Sequence, residues 1–125
     1  MRILFLVSEG NLGANFTAQT LMSKAKVNVK VVSVIKKDSN LLQKFSNLIK
    51  NTIVFSYSTN FNFKDIIYTK PPKDLHKVDD VNSSQVSIII DEYKPDILVI
   101  SGTKKVNIEI LKKVKIKLNL HHGIV

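Results

Sequence analysis

Two residues near the end of this 125-residue chain have the types and spacing to act together in a reaction. Asn119 and His121 are separated by Leu120 within Ile116-Lys117-Leu118-Asn119-Leu120-His121, whose alternation of apolar and polar residues predicts a β-strand. Side chains two apart in a strand project from one face. The amide and the imidazole would then stand together at the strand's carboxyl end, where open α/β sheets hold their ligands. An amide N–H stabilises negative charge developing on an oxygen without adding charge of its own, and an imidazole can donate or carry a proton near neutral pH. A lone histidine is more often a satisfied surface residue; the pairing with Asn119 at a strand end gives this one its functional weight. His122 projects to the opposite face and is left out of the set.

Two further segments belong to the same end of such a sheet. Gly10, Asn11, Gly13, Ala14 and Asn15 lie in a turn between a first strand and a helix, where free backbone N–H groups and the helix dipole attract anions. Without a third glycine and a following acidic residue the turn is not a dinucleotide fingerprint, and a turn that needs glycine for its own backbone explains it equally well. Ser101, Gly102, Thr103, Lys104, Lys105 and Val106 form the second segment, with Gly102 permitting a tight strand-to-helix turn and the lysines either attracting carboxylates or simply solvated.

The elements that must position these residues follow from hydrophobic pattern and caps. Arg2–Val7 and Ile97–Ile100 are apolar on both faces, as central parallel strands are. Val27–Ile35 reads as a strand nearer an edge, Thr52–Tyr57 as a third strand and Ile66–Tyr68 as a short one. Helices are expected after Asn15 (buried stripe Ala18, Leu21, Met22, Ala25) and after Asn40 with Gln43 (apolar face Leu41, Leu42, Phe45, Leu48, Ile49). Two more are expected after Asn82 with Gln85 (Val86, Ile89, Ile90, Tyr93) and after Asn107 (Ile108, Leu111, Val114). Between Ser58 and Val81 the pattern fades, and Pro71-Pro72 forces an extended turn. The alternation predicts a single α/β domain over 1–125, a Rossmann-like open parallel sheet with helices on both faces. The strand from Arg2 should be central, between those from Val27 and Ile97.

Composition limits the function classes. The chain has 44% hydrophobic residues and no cysteine, so disulfides and thiolate metal sites are excluded and no metal site is expected. The apolar run Ile3–Val7 is too short for a signal peptide or a membrane span, so a soluble, unprocessed cytoplasmic protein with no membrane partner is expected. The net charge of +9 would suit nucleic acid, but eighteen of the nineteen basic residues are scattered lysines, which favours a solvated basic surface over a nucleic-acid partner.

Asn-x-His at a strand end, then Gly123 and an apolar pair, after an Asp-Ile-Leu-Val-Ile-Ser-Gly strand and a Glu-Ile-Leu helix, resembles the amino-terminal domain of the 10-formyltetrahydrofolate-dependent formyltransferases. The resemblance implies a formyltransferase of one-carbon metabolism, with Asn119 and His121 in the catalytic set. It implies that Ser101 to Val106 lie beside 10-formyltetrahydrofolate, and that Gly10, Asn11, Gly13, Ala14 and Asn15 meet a small-molecule amine, a ribonucleotide or an amino sugar. Gly13-Ala14-Asn15 is similar to the Gly-Ser-Asn segment that holds the phosphate in glycinamide ribonucleotide formyltransferases, at a different spacing and with Ala in place of Ser. The Gly-Thr-Pro-like turn of methionyl-tRNA formyltransferases is not found. In the family a Pro-x-Tyr-Arg-Gly type loop and a catalytic Asp come after this point, so the 125 residues alone are expected to be inactive. The alternative is a non-catalytic nucleotide- or nucleic-acid-binding α/β module. A receiver-type signalling domain is disfavoured, since its acidic pair after the first strand is missing.

Overall fold

A computed structural model describes residues 1–25, 27–35, 40–43, 45, 46, 49 and 75–120. In chain order they form β1 (Arg2–Ser8), α1 (Leu12–Lys24), β2 (Asn28–Val34), β3 (Leu75–Val78), α2 (Ser84–Tyr93), β4 (Ile97–Ser101), α3 (Ile108–Lys112) and β5 (Ile116–Leu120). The five strands make one sheet in the order β3-β2-β1-β4-β5, and every pairing is parallel. The expected Rossmann-like α/β architecture is therefore observed, with β1 at the centre between β2 and β4.

β1 is central because its side chains serve two cores. Ile3, Phe5 and Val7 pack with Ala14 and Ala18 of α1 and with Val29, Val31 and Val99. Leu4 and Leu6 turn to the other face, where Val86 and Ile90 of α2, Ile110 of α3 and Val114 cover them together with Val32, Val78 and Leu98. A strand of alternating side chains can be apolar throughout only when both faces are covered. Connections that run right-handed from strand to parallel strand place α1 on one face and α2 and α3 on the other, because the chain moves from β1 to β2 in one direction and from β3 back across to β4 in the other.

Several local expectations are corrected. The cap of α1 is Asn11 and not Asn15: Asn11 Oδ1 accepts from the Ala14 N–H at 3.0 Å, so the helix opens at Leu12 and the buried positions become Ala14 and Ala18 with Leu21 partly covered, leaving Met22 and Ala25 exposed. For α2 the cap is Ser83, one residue after Asn82, while Val86, Ile89, Ile90 and Tyr93 do face the core. Asn107 caps α3 as expected, but Ile108 is 61% exposed and the buried line is Val106, Ile110 and Val114, at spacings of four. β3 falls in the stretch where the pattern fades, beyond the short strand expected at Ile66–Tyr68; with only Val78 of its four residues buried, it carries little periodic signal. Residues 41–43, 45–46 and 49 are helical and the Gln43 N–H donates to Asn40 Oδ1, yet Leu41, Leu42, Phe45 and Ile49 are exposed. The expected strands Thr52–Tyr57 and Ile66–Tyr68, the Pro71-Pro72 turn and Leu48 lie outside the described residues.

The ends of the sheet are fixed by polar contacts. At the amino end Asp96 accepts from the Arg2 N–H at 2.7 Å, and the Tyr93 hydroxyl donates to the Asn28 carbonyl at 2.8 Å. β5 lies at one edge, with Ile116 and Leu118 each 48% exposed and the Lys117 ammonium turned onto the carbonyls of Leu111 and Val114. Among the described residues no helix is long and apolar enough to cross a membrane.

α2 ends on Lys94 in the left-handed conformation (φ 49°), which a side chain with a Cβ adopts at a cost. Lys94→Gly is expected to raise the stability by about 0.5–1 kcal/mol, read as a higher midpoint in urea unfolding at unchanged slope. An unchanged or lower midpoint would mean that the lysine side chain offsets the strain.

Candidate functional site

Because all five strands are parallel, their carboxyl ends, Ser8, Val34, Val78, Ser101 and Leu120, lie at one end of the sheet. The strand order reverses between β1 and β4, the place where open α/β sheets bind their ligands, and two of the candidate segments leave those two strands.

The two segments are bonded to each other and to β5. Asn11 Nδ2 donates to the Ser101 hydroxyl at 3.0 Å and to the Ser101 carbonyl at 3.2 Å. The Ser101 hydroxyl in turn donates to the Leu120 carbonyl at 3.3 Å. Ser101 is fully buried, so these bonds are made away from water and losing one would strand its partner. The three segments expected to share a cleft, Gly10–Asn15, Ser101–Val106 and the end of β5, thus meet through a single hydroxyl.

Gly102 shapes the same contact. Its φ of +68° is one that residues with a Cβ rarely adopt, and a Cβ there would stand 2.9 Å from Ser8 Oγ and 3.0 Å from Asn11 Nδ2. Both the backbone conformation and the approach of β4's end to β1's turn require glycine. Gly10 also has positive φ, +75°, in open space.

The members of the expected anion turn are engaged differently from one another. Asn11 uses its amide for the cap and for Ser101, and the Ala14 and Asn15 N–H groups are committed to Asn11 Oδ1 and Asn11 O. Gly13 and Ala14 sit in the first turn of α1, buried against the sheet. Asn15 Oδ1 is buried and has no hydrogen-bond partner among the described residues.

In the β4–α3 segment Gly102, Lys104 and Lys105 are exposed, whereas Val106 is buried in the core shared with α2 and α3. The Thr103 hydroxyl donates to the Lys104 carbonyl at 3.0 Å, and the Lys104 ammonium pairs with the Asp80 carboxylate. Two residues that sequence reasoning missed hold this segment from the β3–α2 turn. Besides Asp80, Asn82 donates to the Lys105 carbonyl at 3.0 Å and accepts from the Asn107 N–H at 2.8 Å. A signal was present: Asn82-Ser83-Ser84 offers several capping side chains in succession, so Ser83 can cap α2 and leave Asn82 for another partner.

Asn119 is the next-to-last residue of β5, exposed and opposite Ile100 in the register. Leu120 packs toward the α1 side, so alternation sets Asn119 on the face of α2 and α3, as it does Lys117. His121 and His122 lie outside the described residues. Among the described residues no group of three or more His, Cys, Asp and Glu side chains is placed to hold a metal ion.

Ser101→Ala is expected to cost about 1–3 kcal/mol, since it leaves Asn11 and Leu120 short of a buried partner. Gly102→Ala should cost at least as much, through both φ and the contact with Ser8. Thermal and denaturant unfolding of the two variants would measure this, and a neutral Gly102→Ala would show that the approach of the two turns is not tight.

No protein-family model matches this sequence, and no curated protein is significantly similar to it.

Proposed function

We propose that this chain is a formyltransferase-like domain, which transfers the formyl group of 10-formyltetrahydrofolate to the amine of a small molecule, a ribonucleotide or an amino sugar. The observation that carries the proposal is the position of Asn119, at the carboxyl end of the strand paired with β4 and one residue from the carbonyl that Ser101 ties to Asn11. Asn119, a glycine-containing turn and a helix-opening turn thus share one end of the sheet, and this supports the reading that the resemblance of the sequence suggests.

The residues present fit a folate. Gly102 and its neighbours offer exposed main chain at the sheet's strand reversal, suited to a flat ring with several donors and acceptors. Lys105 is the better lysine for the folate carboxylates, because Lys104 is paired with Asp80. When bound, 10-formyltetrahydrofolate supplies the formyl carbon that the amine attacks. Asn119 donates an amide N–H to the negative charge that develops on the formyl oxygen, a task in which a fixed neutral donor is worth more than a mobile one. His121 takes up a proton or delivers one to the departing nitrogen, the role an imidazole fills near neutral pH. The glycine turn Gly10–Asn15 holds the amine substrate.

The test has two arms. Formyl transfer to glycinamide ribonucleotide and to amino-sugar nucleotides would be measured in a fusion that adds the family's loop and Asp after Val125. In that fusion Asn119→Ala and His121→Ala are each expected to lower kcat by about 100-fold or more. Transfer that survives His121→Ala undiminished would overturn that residue's role. In the second arm, binding of 5-formyltetrahydrofolate and of an oligonucleotide to the 125-residue chain would be followed across a salt series. Oligonucleotide binding that weakens steeply with salt, with no folate binding, would favour the nucleic-acid-binding module instead.

A further inference from the structure

We infer that Asn82, which lies in none of the segments expected to contact a ligand, is the positioning residue that sets the β4–α3 segment in its ligand-binding shape; the identity of the ligand rests on the formyltransferase proposal. The segment from Gly102 to Asn107 is anchored at its start, where Ser101 and Gly102 meet the β1 turn, and at its end, where Asn107 caps α3 through Asn107 Oδ1 and the Ile110 N–H at 3.1 Å. The stretch between is exposed except for Val106 and partly covered Thr103. Asn82 bonds to both sides of Val106. Its amide donates to the Lys105 carbonyl at 3.0 Å and accepts from the Asn107 N–H at 2.8 Å, across 23 and 25 residues.

One side chain that both donates and accepts acts on a segment as a neighbouring strand would. It fixes the direction of the Lys105 peptide and the entry into α3 at the same time, and Val106 between them is then held in the core. Asn82 is itself held, because its own N–H donates to Asp80 Oδ1 at 2.7 Å, and Asp80 also pairs with Lys104. The β3–α2 turn is therefore a template on which the segment is laid. A segment fixed before the ligand arrives does not lose its conformational freedom on binding, and affinity gains accordingly.

The experiment uses the 125-residue chain, 5-formyltetrahydrofolate as probe, and three variants. Asn82→Ala removes both bonds and is expected to weaken binding about tenfold or more and to speed exchange of the Asn107 amide. Asn82→Asp keeps the acceptor for Asn107 and replaces the donor to Lys105 with a carboxylate oxygen, so it should also weaken binding if Asn82→Ala proves too unstable to measure. Ser83→Ala removes the neighbouring cap of α2; it should lower the melting temperature while leaving the Kd within about twofold, since a cap contributes stability and not loop direction. Wild-type affinity in both Asn82 variants would overturn the positioning role, as would an equal loss in Ser83→Ala, which would reveal a merely structural effect. A wild-type chain that does not bind the probe would overturn the formyltransferase proposal, and the positioning role with it; a wild-type chain that binds while the Asn82 variants bind equally well would overturn the positioning role alone.

Discussion

Everything at the carboxyl end of this sheet depends on the burial of β1 on both sides. Ile3, Phe5 and Val7 go to one core and Leu4 and Leu6 to the other, so neither face can be left to water. Covering both faces demands that the chain leave β1 in one direction and later return past it in the other, which sets β2 and β4 on its two flanks. The reversal of strand order between β1 and β4 follows, at the place where open α/β sheets bind their ligands. Ser101 and Asn11 meet there because their strands are neighbours, although 90 residues separate them in the chain.

Much of this was legible from local pattern. Two apolar strands without alternation, Arg2–Val7 and Ile97–Ile100, were enough to place the centre of the sheet, and Asn107 was identified as a cap from its position before an apolar run. What local pattern missed was decided by distant partners. Asn11 and Asn15 are equally good caps for α1 by type; the structure uses Asn11, whose amide N–H donors reach Ser101 at the end of β4, the neighbour of β1 in the sheet. Asn82 was read as a cap for the same reason, while its partners lie beyond the following helix and strand. β3 was invisible because an edge strand with one buried residue has no pattern to show. Of the candidate catalytic pair, Asn119 is placed and His121 lies outside the described residues, so the pairing itself rests on the sequence.

The charge of the chain also finds a partial physical account. Lys24 closes α1, Lys94 follows α2, and Lys112 and Lys113 close α3, where the carbonyl ends of helices favour cations. Lys113 is in addition paired with Asp91 at 2.6 Å, and Lys117 lies against the last carbonyls of α3. Pairs this exposed contribute little to stability, generally below about 1 kcal/mol. Lysine at these positions is therefore accommodated by the fold without any partner molecule.

The edge formed by β5 carries a liability of its own. Among the described residues no strand pairs with its outer side, and Ile116 and Leu118 present apolar surface beside it, a combination that invites strand-to-strand association between molecules. Lys115 and Lys117 alternate with those residues, and a net charge of +9 makes each copy repel the next. That repulsion is long-ranged only at low ionic strength, with a screening length of about 8 Å at physiological salt and about 3 Å at 1 M. The protein's colloidal behaviour is consequently tied to its ionic environment: salt that leaves the core untouched removes the barrier that keeps one β5 from another.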